Sequence, residues 1–541
     1  MDNKHKPIIG IDLGTTNSVV SYPVKKEKGI DVEFIKINGD HLVPSFIYVG
    51  KGNKYVVGKK AKEKTNTDPE RVLSSYKPYI GDDRILKEID GVGYNSFTAT
   101  SIALKYIKAG IDKKFPDGID GVVITVPAYF TENQKSDTTR AAKHAGLEVK
   151  GIITEPSASA FSYIETHDMG EEGKTVLVYD IGGGTFDVSI VYLTNEGFAT
   201  VIGIGGDQYL GGDDFDELLA DYIEKKYYPR SNFSINNKQI LIRACERIKI
   251  EMMNDGVTDK VYDIDVSAID TSVEIQPTIT YKEFKEITKP LVDNTLRIVH
   301  DVLVNAGLDI KTDIDNILLV GGSSRLLNIR EALDEATEGK FNLQQKDPYL
   351  VEPDYSVSWG ASVYAQLIMD KETDKVTDIL SKNLGIADNK GKMLIVLEKG
   401  LPIPATGSRA ITNPLDDQDK LEIGVYEGVS ENVLNNTLIG NMEINLPEGL
   451  KKHELEATVK FKINSDGILE VFIMGDYEDK LTISLNRSYY ESEKSDTESI
   501  DSAQFESDIS SAGVEEDNKK KNNPDEGDKD SIESLSWGEL L

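Results

Sequence analysis

Two stretches of the chain follow one plan, and they constrain the fold more than any other feature. Residues 176–191 read VLVYDIGGGTFDVSIV, and residues 7–22 read PIIGIDLGTTNSVVSY. In each, an apolar run reaches an acid, breaks at small residues and resumes with alternating side chains. That pattern predicts a buried strand, a tight turn and a returning strand. Gly182, Gly183 and Gly184 remove every Cβ from the second turn, so its N–H groups can close on a polyanion. Asp180 and Asp187 flank it, as carboxylates do around a hydrated divalent cation. Asp12 holds the place of Asp180 in the first stretch, and Gly14-Thr15-Thr16 answers Gly183-Gly184-Thr185. Such repetition predicts two similar lobes facing each other across a nucleotide. A plain hairpin turn is the alternative for either stretch alone. Neither turn opens a helix at the spacing of a P-loop or a dinucleotide fold.

With 541 residues the chain can hold several cores, and two or more domains are expected. A net charge of −32 repels phosphate-rich surfaces, so neither nucleic acid nor a membrane is an expected partner. The single cysteine, Cys245, cannot form an internal disulfide. Residues 1–10 lack the apolar core of a secretion signal, and no apolar run is long enough to span a bilayer. A soluble, cytoplasmic protein is the expectation.

In chain order, residues 41–60 read as strands and turns, and residues 67–80 as a helix ending near Lys77. On pattern alone Lys77 is a solvated surface charge. GVVITV at 121–126 is an apolar strand, and the helix after it has Thr131 as N-cap, with Glu132 and Gln134 in its first turn. The strand at 149–154 delivers Glu155, either to the ligand edge of an α/β sheet or to a solvated helix start. A second glycine cluster with Gly211 and Gly212 precedes another helix. On the next long helix Glu246 and Lys249 share a face, which suits a helix salt bridge or a clamp on a ribose and base. Phe284, Ile287, Leu291, Leu296, Val299 and Leu303 form the apolar stripe of a further helix, with Pro290 expected to kink it. The strand at 314–320 ends in Gly321-Gly322-Ser323-Ser324-Arg325, a backbone that a ligand can approach closely. After residue 371 the pattern turns to short alternating segments, and Asp466-Gly467 between two of them predicts a hairpin.

IGIDLGTTNSVV, VVITVPAYFTENQ, AAKHAGLEVKGIITEPSASA, YDIGGGTFDVS, YLGGDDFD and LVGGSSR, in this order and spacing, closely resemble the 70-kDa heat-shock chaperones, the DnaK-like proteins. The likeness is dense over about the first 370 residues and looser beyond them. It implies an α/β fold: an actin-like two-lobed ATPase domain (1–373), a linker (374–383), an antiparallel β-sandwich substrate-binding domain (384–486) and a disordered acidic tail (487–541). It also implies an ATP-dependent chaperone that hydrolyses ATP slowly, binds apolar peptide segments, and works with a J-domain cochaperone and an exchange factor. The implied cofactors are ATP or ADP and Mg2+. By resemblance Gly14, Thr15, Thr16 and Asn17 face Gly182, Gly183, Gly184 and Thr185 across the phosphates, and Gly211 and Gly212 join them. Asp12, Asp180 and Asp187 match the carboxylates around magnesium. Lys77, Glu155, Asp180 and Thr185 match the catalytic set. Glu246, Lys249, Gly321, Gly322, Ser323, Arg325 and Asp354 match nucleoside contacts, and Pro127 matches a proline that relays nucleotide state.

The chain also departs from the family. Lys135 stands in place of an arginine that accompanies Pro127, and Asn389 in place of a methionine that arches over bound peptide. The linker, with Lys375-Val376-Thr377-Asp378, is mostly polar, which puts interdomain coupling in doubt. Ile386, Ile411 and Leu421 are candidate peptide contacts, with core packing as the alternative. From Ser488 onward about sixteen acids face about five bases, with no helical stripe for a lid. Residues 532–541 (IESLSWGELL) read as a docking motif for a partner or as a sticky terminus. Two rival functions stand beside the chaperone: a nucleotide-gated module for one dedicated partner, and an actin-like small-molecule kinase or filament former.

Overall fold

A computed structural model describes residues 6–486 apart from 27–28, 53, 66, 167–172, 195, 230–232, 268, 270–275, 344–351, 465–468 and 476–482. The expected tip of the Asp466-Gly467 hairpin, the acidic tail and the terminal IESLSWGELL therefore lie outside the described residues. The described chain divides into two compact units. One runs to Tyr129 and then over Thr138–Val376, and the other holds Phe130–Asp137 and the chain from Thr377.

The first unit is built on two sheets of related topology. In the first, β1 (Ile8–Leu13), β2 (Asn17–Lys25) and β3 (Ile30–Phe34) form an antiparallel meander, with Val43–Pro44 also paired to β2. On the other side of β1, β4 (Gly121–Val126) and β5 (Val149–Thr154) add in parallel. The second sheet repeats this plan. Strands β6 (Lys174–Ile181), β7 (Phe186–Leu193) and β8 (Ala199–Asp207) form the meander, and β9 (Asn316–Val320) lies parallel to β6. Its far edge carries β10 (Val376–Thr377) beside β8, within the stretch read as a polar linker.

Helices cover the faces of both sheets. α1 (Ser96–Lys114) places Leu104, Ile107 and Ile111 on Ile9, Ile11 and Val122 in one core. β4 is buried along its whole length, as a parallel strand between covered faces must be. α2 (Glu132–His144) is followed by α3 (Glu155–Thr166), which starts directly after β5. The second sheet packs beneath α4 (Gly212–Tyr227), α5 (Ile235–Asp255) and α6 (Tyr281–Ala306), with Phe186, Phe215, Leu219, Cys245 and Phe284 in its core. α7 (Ser356–Asp370) lies against β1, β2 and α3.

Local sequence explains most of these boundaries. The Gln134 N–H donates to Thr131 Oγ1 over 3.3 Å, and the Thr131 N–H donates to Gln134 Oε1 over 2.9 Å, so the expected cap on α2 is present. α6 opens on a capping box of Thr280 and Glu283, ends at Gly307 and runs unbroken through Pro290. The helix expected over residues 67–80 is absent. In its place stand two 3-10 turns, Pro69–Arg71 and Lys77–Tyr79, with the short strand Val72–Leu73 between them. Pro69 and Pro78 lack the N–H that a helix interior requires, and Ser75 has φ +49°.

The second unit is antiparallel throughout its paired strands. One sheet has the order β12 (Met393–Leu397), β11 (Asn383–Ala387), β14 (Lys420–Gly428), β15 (Thr437–Asn445), β18 (Ile483–Asn486). The other has the order β13 (Ala405–Ile411), β16 (Ala457–Ile463), β17 (Leu469–Gly475). Alternation along β16 sends Val459, Phe461 and Ile463 inward and leaves Lys460 and Lys462 outside, so one face of each sheet fills a shared core.

Candidate functional site

The turns of the two glycine hairpins line a single cavity of about 330 Å³ in the first unit. The backbone sets its shape. A Cβ on Gly183 would lie 1.9 Å from Thr16 Oγ1, so the two turns approach as closely as they do because that side chain is missing. The Gly212 N–H donates to Gly182 O over 2.9 Å, the Asp213 N–H donates to Gly183 O over 2.7 Å, and Ser323 Oγ donates to Gly182 O over 2.9 Å. These bonds fasten the start of α4 and the Gly321–Ser324 turn to the glycine triplet.

The charged floor lies where the hairpin strands end. Lys77 is 5% exposed and donates from Nζ to Glu155 Oε1 over 2.5 Å. The reading of Lys77 as a solvated charge is thereby corrected: the Lys77–Tyr79 turn aims its side chain inward, where Glu155 offers an acceptor. Asp180 and Asp187 stand opposite each other across β6 and β7. Asp12, at the end of β1, accepts from Thr125 Oγ1 over 3.0 Å. Burial, reinforced by Glu155, pushes Asp12 up to about 7 and Asp187 up to about 8. Asp180 is raised well above the usual carboxylate range, again by burial first and then by Glu155. Lys77 lowers all three, but too weakly to restore them.

This floor suits a cation. Carboxyl groups crowd together, and Asp187 Oδ1 is buried with no hydrogen-bond partner. No set of three His, Cys, Asp or Glu side chains closes into a direct metal cage among the described residues. A magnesium ion that kept most of its water would fit such a site, with Asp12, Asp180 and Asp187 as outer acceptors.

The far end of the cavity is formed by α5 and the turns after β9 and before α7. Glu246 and Lys249 both line it, but the helix salt bridge between them is not formed. Lys62 Nζ lies 3.0 Å from Glu246 Oε1, and Lys249 Nζ lies 2.7 Å from Asp216 Oδ2. Each has a better placed partner on another element. Arg325 pairs with Asp354 at 2.5 Å and also with Glu352.

Of the residues singled out from sequence, Asp12, Gly14, Thr15, Thr16, Asn17, Lys77, Glu155, Asp180, Gly182, Gly183, Thr185 and Gly212 line the cavity. So do Glu246, Lys249, Gly321, Gly322, Ser323, Arg325 and Asp354. Gly184, Gly211 and Asp187 are not among its lining residues. Sequence reasoning missed Lys62, Asp213, Asp216, Ile250 and Met253, which line it too. Ile250 and Met253 follow Glu246 and Lys249 at helical spacing, a signal that could have found them. In the second unit, Ile386 is 2% exposed within the core, while Ile411 and Leu421 are half-buried against it.

Two meander sheets whose glycine hairpins meet at one cavity define an α/β fold built on a repeated plan. The family model for Hsp70 protein matches residues 8–537, and the chain belongs to that family. Its mixed α/β structure is consistent with the actin-like ATPase fold of the family. Members are ATPases that bind ATP or ADP with Mg2+, and they are chaperones. Among the described residues no helix is long and apolar enough to cross a membrane.

Proposed function

We propose that this chain is an ATP-dependent chaperone: it hydrolyses ATP in the hairpin cleft and uses the nucleotide state to alter its hold on apolar peptide segments. The observation that carries the reading is the buried Lys77–Glu155 pair, set among Asp12, Asp180 and Asp187 where two glycine turns meet.

The turns at 14–17 and 182–185 hold the β- and γ-phosphates of ATP, and Lys77 offsets their charge. Glu155 or Asp180 orients a water for attack on the γ-phosphorus, and Thr185 steadies the same group. The bond from that phosphorus to the bridging oxygen breaks, leaving ADP and phosphate. Magnesium, held through water by the three aspartates, would neutralise charge developing on the phosphate oxygens. The site works by positioning and charge neutralisation more than by strong base catalysis, so turnover is slow. Glu246, Lys249, Arg325 and Asp354 surround the nucleoside end. The β unit takes the peptide, with Ile411 and Leu421 as candidate contacts and Ile386 in support from the core. J-domain and exchange-factor partners, a cytoplasmic setting and a role in stress response are part of the same proposal.

Anisotropy of a labelled apolar heptapeptide tests it. Binding with ADP that weakens on adding ATP is expected. Binding indifferent to nucleotide, in a protein that still hydrolyses ATP, refutes the chaperone assignment and leaves the ATPase.

A further inference from the structure

Lys249 is the cation of α5 that lines the nucleoside end of the cavity, yet its ammonium is engaged by the protein itself. Nζ donates to Gly212 O over 2.6 Å and to Asp216 Oδ2 over 2.7 Å. The two charged side chains are only 6% and 4% exposed. Gly212 belongs to the turn that opens α4, and its N–H in turn donates to Gly182 O in the phosphate turn. Ser323 Oγ reaches the same Gly182 carbonyl. One chain of contacts therefore runs from Asp216 through Lys249 and Gly212 to Gly182.

The pair is poorly arranged for stability alone. Asp216 Oδ1 is buried without a partner, and burial pushes the carboxyl up to about 7 although Lys249 pulls it down. A buried ion pair with an orphaned oxygen contributes little against apolar side chains of the same shape. Its geometry does accomplish something else. An ammonium has three donors, and two of them are fixed by Asp216 and Gly212, so the direction of the third is fixed as well. Without Asp216, the flexible lysine stem keeps only the Gly212 carbonyl to hold it against α4.

We propose that Asp216 is a positioning residue of the nucleotide site: through Lys249 it locks the Gly211–Gly212 turn against Gly182 and sets the spacing between the nucleoside and phosphate ends of the cleft. This rests on the nucleotide reading above. Asp216 acts on the turn through Lys249 and Gly212.

The test is ADP affinity by calorimetry on the full chain, for Asp216→Asn, Lys249→Met and the double variant. Asp216→Asn should weaken ADP by about 10-fold, Lys249→Met by about 30-fold, and the double variant by no more than Lys249→Met alone, because the two act as one unit. Steady-state kinetics should show the Asp216→Asn loss in KM, with kcat at saturation within about 2-fold of wild type. Removing both charges should return the unfolding midpoint of the nucleotide-free protein toward wild type while ADP binding stays weak, which separates positioning from folding. If Asp216→Asn alone does not fold, Asp216→Glu takes its place, with an expected loss of about 3-fold from the displaced carboxylate. Wild-type affinity in the single Asp216 variant, or losses that multiply in the double variant, overturns the proposal. Failure of the wild-type chain to bind ADP would instead refute the nucleotide reading itself.

Discussion

The two glycine hairpins share a backbone plan and differ in charge. In the first, Asp12 on β1 faces Val19 on β2; in the second, Asp180 on β6 faces Asp187 on β7. Val19 is buried and uncharged, whereas Asp187 is equally buried with an unpartnered oxygen. The same strand–turn–strand unit thus carries one buried carboxyl on one side and a facing carboxyl pair on the other. Backbone geometry can be duplicated without duplicating chemistry, and in the proposed function that asymmetry sets where magnesium would be held.

Side-chain charge at the floor should therefore outweigh either turn. The largest expected effect is from Lys77→Ala, which removes the ammonium set among the carboxyl groups and should lower kcat by about 1,000-fold in a steady-state ATPase assay. Next comes the register pair. Asp187→Asn should raise the Mg2+ concentration for half-maximal hydrolysis by about 10-fold or more, whereas Val19→Asn, at the matching place, should leave it unchanged and cost about 1–3 kcal/mol in urea unfolding. Equal Mg2+ shifts from the two variants would erase the asymmetry. Gly183→Ala, whose Cβ would collide with Thr16 Oγ1, should weaken ADP by about 10-fold.

A pH profile sharpens the same contrast. Asp12 and Asp187 rise from the ordinary 3.8 to about 7 and about 8 in the folded chain. A carboxyl raised on folding favours the folded state fully below its unfolded value and loses that contribution as pH rises through the folded value. The nucleotide-free protein should therefore lose stability between about pH 4 and about pH 8, and Mg2+ with ADP should flatten the slope. A rising profile in the free protein contradicts the charge assignment. The smallest effect is expected from Lys62→Ala: the pair with Glu246 is partly exposed, so its removal should change ADP affinity by about 3-fold at most.

The hairpins and their order in the chain were legible as local patterns of apolar runs broken by small residues, whereas Glu246, Lys249, Arg325 and Asp354 were named through the resemblance to the heat-shock chaperones. Glu155 could be located from the strand before it. Pattern alone left Lys77 a solvated charge and only the resemblance named it, since the inward turn at Pro78 and the distant Glu155 make it a buried cation. The partners of Glu246 and Lys249 were likewise hidden, because Lys62 and Asp216 come from other elements and the residues adjacent along α5 offered a simpler pair. In the second unit, alternation was enough to mark the strands, but it could not assign Ile386 to the core and Ile411 and Leu421 to its margin. Which strands share a sheet decides that.

In the proposed function the two hairpins together hold ATP for hydrolysis at the Lys77–Glu155 floor. Single-turnover hydrolysis of ATP by the purified chain, with Mg2+ and with chelator, tests it most directly. Slow release of phosphate that requires Mg2+ and is lost in Lys77→Ala is the expected result. ATP that binds but is not cleaved, or cleavage unaffected by Lys77→Ala, would contradict it.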